Sequence, residues 1–403
     1  MSQLKSRKRK KNNILSNEWK SFLKDVSICS LSAFGGPEAH YGVFSDQLVN
    51  KKGYISDKDL AELIGLTTIL PGPSSTQTII AIAYRVGGPL LAFLTSLIWI
   101  MPAIILMSIL SLLTYYFTAA TGHKSMLSYL GTMALAFIIV SAYRISFNVV
   151  RDKLTLGLLV FGAITTYTIR SPWIFPIILI IGGLVSIIES KERKIWNKVR
   201  VRPNWLYLFL FILMTVGSIF LSLKSNNLII DLFESFYRYG YLVVGGGQAL
   251  VSMMHNELVV NHNYINNQDF LTGFGLVQGI PGPMFSFAAY VGGLVASDQG
   301  VFLHIVTALL SGIAIFLPGV LLIYFVYPIW QDLRQIKGIK IFLKGLTAVS
   351  AGMVVATGLL FFNKQTMDLS NSIILFSTMA ALLWKKIPVP IIVIVVLLAG
   401  YII

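Results

Sequence analysis

Long apolar runs alternate along this chain with short polar or charged stretches, and nowhere is there a sustained apolar/polar alternation of the kind a half-buried strand shows. Runs such as LLAFLTSLIWIMPAIILMSIL (90–110) and NWLYLFLFILMTVGSIFLSL (204–223) exceed the roughly 18 to 20 residues that carry a helix across a bilayer core. Segments of this type are expected near 17–36, 59–85, 87–117, 125–148, 154–169 and 172–188, then near 204–223. Six more follow near 229–250, 268–291, 301–327, 339–362, 369–384 and 387–403. A membrane β-barrel would instead show alternating segments of about ten residues. The expected class is therefore all-α: a polytopic membrane protein of about 13 segments, some of them broken or re-entrant.

The count of six, one and six carries a topological consequence. If the first unit begins and ends on the cytoplasmic side, the lone seventh segment delivers the second unit to the opposite side, and the two units become inverted repeats. Duplication is visible directly at an offset of 210, with thirteen identities between 35–73 and 245–283. They include Gly35-Gly36 with Gly245-Gly246, Tyr54-Ile55 with Tyr264-Ile265, Asp59 with Asp269, and Pro71-Gly72-Pro73 with Pro281-Gly282-Pro283. The expected division is a basic tail (1–16), a first repeat (17–190), a basic loop with a linking transmembrane helix (191–226) and a second repeat (227–403). One re-entrant segment per half would change the parity of the ends; two per half would preserve it.

Composition sharpens the class. Of 403 residues 55% are hydrophobic and 12% charged, and a mean hydropathy of +0.75 excludes an ordinary water-soluble globule. The net charge of +15 could suggest nucleic acid, but the basic residues cluster beside apolar segments, as in KSRKRKKNN near the N-terminus and KERKIWNKVRVR at 191–202. That is the distribution of cytoplasmic flanks beside anionic lipid, so the expected setting is the cell membrane, multi-pass, with the N-terminus cytoplasmic and no nucleic-acid partner. Cys29 is the one cysteine and reads as a small apolar helix residue; no His or Cys spacing suggests a metal, and no cofactor is expected. An intramembrane enzyme would need a His-Glu-x-x-His or Gly-x-Ser-x-Gly pattern, and neither occurs.

The repeated breaks are the candidate chemistry. In DLAELIGLTTILPGPSSTQTIIAIAYRVGG (59–88) two prolines interrupt an apolar segment at its middle, so the segment must be two half-helices. Pro73 can open the second half-helix, with Ser74, Ser75 and Gln77 at its exposed N–H groups, an arrangement that attracts anions. Gln278 and Ser286 lie near the matching break at Pro281, Gly282 and Pro283. Gly35, Gly36 and Pro37, with Gly245 and Gly246, relax helical geometry in the same way, although small-residue packing between membrane helices would use the same residues. Glu38 and His40 flank the first break and could carry a coupled proton; Arg85 and Arg144 could recruit an anion, while snorkelling also accounts for Arg85. Glu234 and Arg238, four apart, could simply neutralise each other. Matching broken helices in two halves are the mark of a secondary transporter with its site between them.

FGGPEAH followed by LPGPSSTQ in one half, and GGGQALV followed by QGIPGP in the other, resembles the long two-domain form of the chromate ion transporter family, over about 18–400. The resemblance implies a carrier that moves chromate outward and confers chromate resistance, with a small inorganic oxyanion and the lipid bilayer as its partners. Sulfate has the same tetrahedral dianionic form, and a passive anion channel could use the same half-helix ends, so both stand as alternatives. A homodimer is compatible with the sequence, which fixes no oligomeric state.

Overall fold

A computed structural model describes residues 18–68, 70–121, 126–169, 174–190, 203–243, 248–330, 336–365, 367–384 and 386–402. The basic tail, the loop at 191–202 and the Gly245-Gly246 pair lie outside the described residues, which contain helices and no strand. In the first half α1 covers 18–32, and α2 (Pro37–Phe44) runs on into a π-helical turn, Ser45–Lys51. Then come α3 (Asp57–Thr67), α4 (Ser74–Thr121), α5 (Leu130–Val149), α6 (Lys153–Thr168) and α7 (Ile174–Ile188). After α8 (Trp205–Lys224) the order recurs: α9 (Leu228–Leu242), α10 (Gln248–Met254) with its own π-helical turn His255–Asn261, and α11 (Asn267–Gly279). A 3-10 turn, Met284–Ser286, leads into α12 (Phe287–Val295), followed by α13 (Val301–Val326), α14 (Lys337–Lys364), α15 (Leu369–Trp384) and α16 (Val389–Ile402).

Local chemistry explains the boundaries. Ser56 accepts from the Asp59 amide and Asp59 returns a bond to the Ser56 amide, a capping box that starts α3. Asn266, at the matching position, accepts from Asp269 to start α11. Gly88, at φ 79, divides α4 into a short arm and a long one, and Pro89 follows it. By length and composition, the helices fit to cross a bilayer are Ser74–Phe117, Leu130–Val149, Trp205–Lys224, Val301–Ile329 and Lys337–Lys364. α6, α7, α15 and α16 are apolar but shorter.

Cross-contacts show how the broken segments run, and here the structure departs from the simple count. Asp25 on α1 accepts from Gln47 (2.9 Å) and from the Tyr54 hydroxyl (2.7 Å), so the chain after the Gly35-Gly36 break returns to the face on which α1 begins. Asp59 and Arg85, at opposite ends of the next broken segment, form an ion pair of 2.8 Å. The stretch expected as a span at 17–36 is thus one arm of a hairpin that 37–54 completes, and that at 59–85 is a whole hairpin. In the second half Ser235 and Arg238 on α9 bond Glu257 in the returning turn, and Arg238 also grips Glu234. Asn266, Asp269, Ser297 and Asp298, from both ends of α11–α12, line one cleft with Tyr115. The physical reason is backbone conformation: Gly35 and Gly36 in the first break, and Gly72 and Gly282 in the Pro-Gly-Pro turns, adopt positive φ that a continuing helix does not, and so turn the chain back.

The remaining contacts sort consistently onto two faces. Tyr324 with Pro89, Lys344 with Asp152 and Arg144 with Leu382 lie on the face where α1 begins, the proximal face. Asn363 with Tyr167, Thr132 with Asn371 and Tyr115 with Asp298 lie on the distal one. α14 packs on α5, α6 and α7, and α5 packs on α15, so each half's helices are covered by the other's. An added methyl at Gly345 would strike the Gly182 carbonyl, and one at Gly352 the Leu159 carbonyl; backbones here touch where water-driven burial cannot hold helices together. α8 lies against α9 and α13 through Tyr207, Phe211 and Met214, and few of its residues are fully buried.

Asp152, in the proximal loop before α6, is held down to about 2 by the Lys344 ammonium and by the Thr155 amide and hydroxyl. Because the folded carboxyl titrates below its ordinary 3.8, its contribution is complete above that range and is lost as pH falls through about 2. In detergent, the wild-type melting temperature should fall more steeply than that of Asp152→Asn between about pH 4 and 2. The difference should be small, since an exposed pair contributes about 1 kcal/mol or less.

Candidate functional site

The tips of the four hairpins converge inside the molecule. The Gly72 amide donates to the Val243 carbonyl at the end of α9, and the Gly282 amide donates to the Ala33 carbonyl after α1, both at 2.8 Å. Both donors and both acceptors are 210 residues apart, so the two bonds are equivalents exchanged between halves. Each glycine has a φ that disfavours any other residue, +112° at Gly72 and +107° at Gly282. Gly72 seats against Gly319, next to the helix-interior Pro318, and Gly282 seats against Ala103, next to Pro102.

Beside these tips lies a cavity of about 400 Å³. Gly35, Gly36, Pro37 and Glu38 border it from the first break, Gly72 and Ser74 from the second, and Gln278 and Met284 from the other half. Arg144 on α5 reaches it, near the proximal end of that helix, with Leu382 and Val389 at the proximal ends of α15 and α16. Arg144 donates to the Leu382 carbonyl and has no carboxylate partner among the described residues. Pro37 and Glu38 form the first turn of α2 and Ser74 opens α4, so two helix N-termini with their unpaired N–H groups edge the space. Gln278 points its amide at the Met284 sulfur, 3.5 Å away, an acceptor that a better one readily displaces. The polar groups bordering the space are one guanidinium, one carboxylate, backbone dipoles and neutral donors.

Other candidate residues sit elsewhere. His40 is buried, bonded through Nδ1 to Ser75 (2.9 Å) and set edge-on to Trp99, and its Nε2 has no protein partner among the described residues. With Pro73, Ser75 and Pro283 it borders a much smaller void, where the two Pro-Gly-Pro turns face each other. Gln77 spends its amide hydrogens on the Pro71 and Gly319 carbonyls, closing the break rather than facing the cavity. Pro281 belongs to the second tip without lining the cavity, and Ser286 is buried with an unpartnered hydroxyl. Arg85 is held by Asp59 outside the cavity. Sequence reasoning missed Tyr41, Thr67, Ser141 and Thr347, which line the space although nothing local sets them apart. It also missed Glu257, the second carboxylate on Arg238. Thr68 and Gln278, equivalents by the offset of 210, both line the one cavity, which marks it as lying where the halves meet.

Apolar helices of membrane length, paired broken hairpins and an internal polar cavity define a multi-pass helical membrane protein built to handle a solute. One family model, that of the chromate transporter, matches twice, over residues 20–187 and 230–402. The chain belongs to the chromate transporter family. It is similar to a chromate transport protein of Cupriavidus metallidurans, 27% identical over 89% of this chain and 87% of the relative. It is also similar to a probable chromate transport protein of Synechococcus elongatus (24%, 92% and 91%) and to a chromate transport protein of Pseudomonas aeruginosa (24%, 81% and 77%). No solved structure matches the chain.

Proposed function

We propose that the protein is a secondary carrier that exports a tetrahedral oxyanion, chromate foremost, and so confers chromate resistance. The observation that carries this reading is Arg144: a guanidinium without a carboxylate partner, beside the N-termini of α2 and α4, in a cavity where both halves meet. A dianion away from bulk water needs such compensation. Family membership and the printed names of the relatives supply the choice of chromate.

The proximal face is the cytoplasmic one in this reading. It gathers Lys51, Lys52, Lys58, Arg151, Lys153 and Lys340, whereas the returning turn at 251–267 on the distal face has no Lys or Arg. The first half then enters from the cytoplasm and the second from outside, as inverted repeats with two hairpins and four crossings each, joined by α8. The cavity faces the cytoplasm, where cargo for export must load.

Everted membrane vesicles, with and without a proton gradient, test the function: labelled chromate should accumulate saturably above an empty-vector control. Equal accumulation, with the protein demonstrably in the membrane, rejects it. Cysteines placed at Lys153 and Ser370 in a Cys29-free background test the orientation, and labelling of position 153 from outside intact cells rejects that.

A further inference from the structure

Glu38 and Arg144 line the same cavity, yet neither is ion-paired with the other or with any oppositely charged group among the described residues. A carboxylate on the wall of an anion site is a penalty for any fully deprotonated oxyanion. It becomes an asset only when a proton lies between it and the cargo. Resting on the carrier reading above, we propose that Glu38 is a specificity determinant: the cavity takes up an oxyanion together with one proton, shared between Glu38 and a cargo oxygen, while Arg144 holds another of its oxygens. The preferred class is then oxyanions whose last proton is lost near neutral pH, as in hydrogen chromate. Sulfate, whose acid form exists only in strong acid, is disfavoured although its shape is the same.

The geometry gives each group its task. Glu38 stands in the first turn of α2, on the cavity wall, where its carboxyl oxygens can share a proton with a cargo oxygen. Arg144 is a permanent donor with no acceptor capacity, and Ser74 and Gln278 can donate to the remaining oxygens. The proton balance is simple: one is bound with the anion and released with it, and no bond to chromium is made or broken. The titratable groups that line the cavity with Glu38 are Tyr41 on its own helix and Arg144 on α5; His40 is turned away toward Ser75 and Trp99.

Everted vesicles loaded with the full-length protein decide the matter, with labelled chromate and labelled sulfate compared from pH 6 to 8. Wild-type protein should favour chromate over sulfate by roughly tenfold or more, the scale set by one polar group left unpaired, and should lose chromate affinity as pH rises. Glu38→Gln should narrow the chromate-to-sulfate ratio and flatten the pH dependence, and Glu38→Asp should keep both. An unchanged ratio in a transporting Glu38→Gln protein overturns the role of Glu38 and leaves the carrier reading standing. Should that variant fail to insert, the wild type alone decides: a pH-independent chromate affinity, or equal handling of sulfate, overturns the proposal. Transport of neither anion by wild type removes the carrier reading and this inference together.

Discussion

Alanine at Gly72 or at Gly282 should lower chromate transport more than tenfold while membrane insertion persists. At φ +112° or +107° any side chain is strained, by about 1 to 3 kcal/mol. The added methyl would also press on Gly319 at 3.2 Å in one case and on the Ala103 methyl at 2.7 Å in the other. Relief requires the tip to withdraw and its bond to Val243 or Ala33 to lengthen, leaving a buried carbonyl unpaired at about 1 to 3 kcal/mol. Since about 1.4 kcal/mol is tenfold in a rate, either cost suffices if the tip must keep its place during transport. Gly217→Ala, in an open position on α8, is the control and should be silent. Vesicle uptake normalised to immunoblotted protein measures both; wild-type rates in the two tip variants would show that the turns are mere packing features.

Removal of the Arg144 charge should be the most damaging single substitution. Arg144→Gln deletes the guanidinium that the cavity leaves without a carboxylate, and an uncompensated anion in a semi-enclosed site costs several kcal/mol, so transport should fall by roughly a hundredfold or more. Arg144→Lys should recover part of it, because a point charge replaces a planar fork. Arg85→Gln should retain most activity, since Arg85 is engaged by Asp59 at the base of its hairpin, outside the cavity. Initial rates across a chromate titration provide the comparison. Similar losses from the two arginines would move the site away from the described cavity.

Hydropathy and the repeat made the helical class, the two halves and the Pro-Gly-Pro breaks legible in the sequence. Glu38, Ser74, Arg144 and Gln278, which line the cavity, attract notice in the sequence because a polar or charged residue beside an interrupted apolar run is costly enough to ask for a reason. Chain reversal was not. A window over 59–85 registers the same apolar length whether Pro71 to Pro73 lets the chain continue or sends it back, and only the meeting of Asp59 with Arg85 distinguishes them. The partners of each tip were equally hidden, since Val243 and Ala33 are ordinary apolar residues that offer only a carbonyl. The bonds that place His40 and Gln77, to Ser75 and to the carbonyls of Pro71 and Gly319, were likewise hidden, since nothing local pairs these residues.

The exchange of hairpin tips between halves has a bearing on ancestry. A half-length chain that assembled with a copy of itself would have to serve, with one residue at each position, both roles that the fused chain assigns separately. A single chain whose halves are linked through α8 is free of that constraint, and its halves differ at equivalent positions. Thr68 stands opposite Gln278, Ser74 opposite Met284, Glu38 corresponds to Gln248, and the carboxylate that ties the first hairpin together sits on α1 as Asp25 in one half but on the returning turn as Glu257 in the other. Equivalent places in the two halves thus carry different side chains, which gives the scaffold a front and a back.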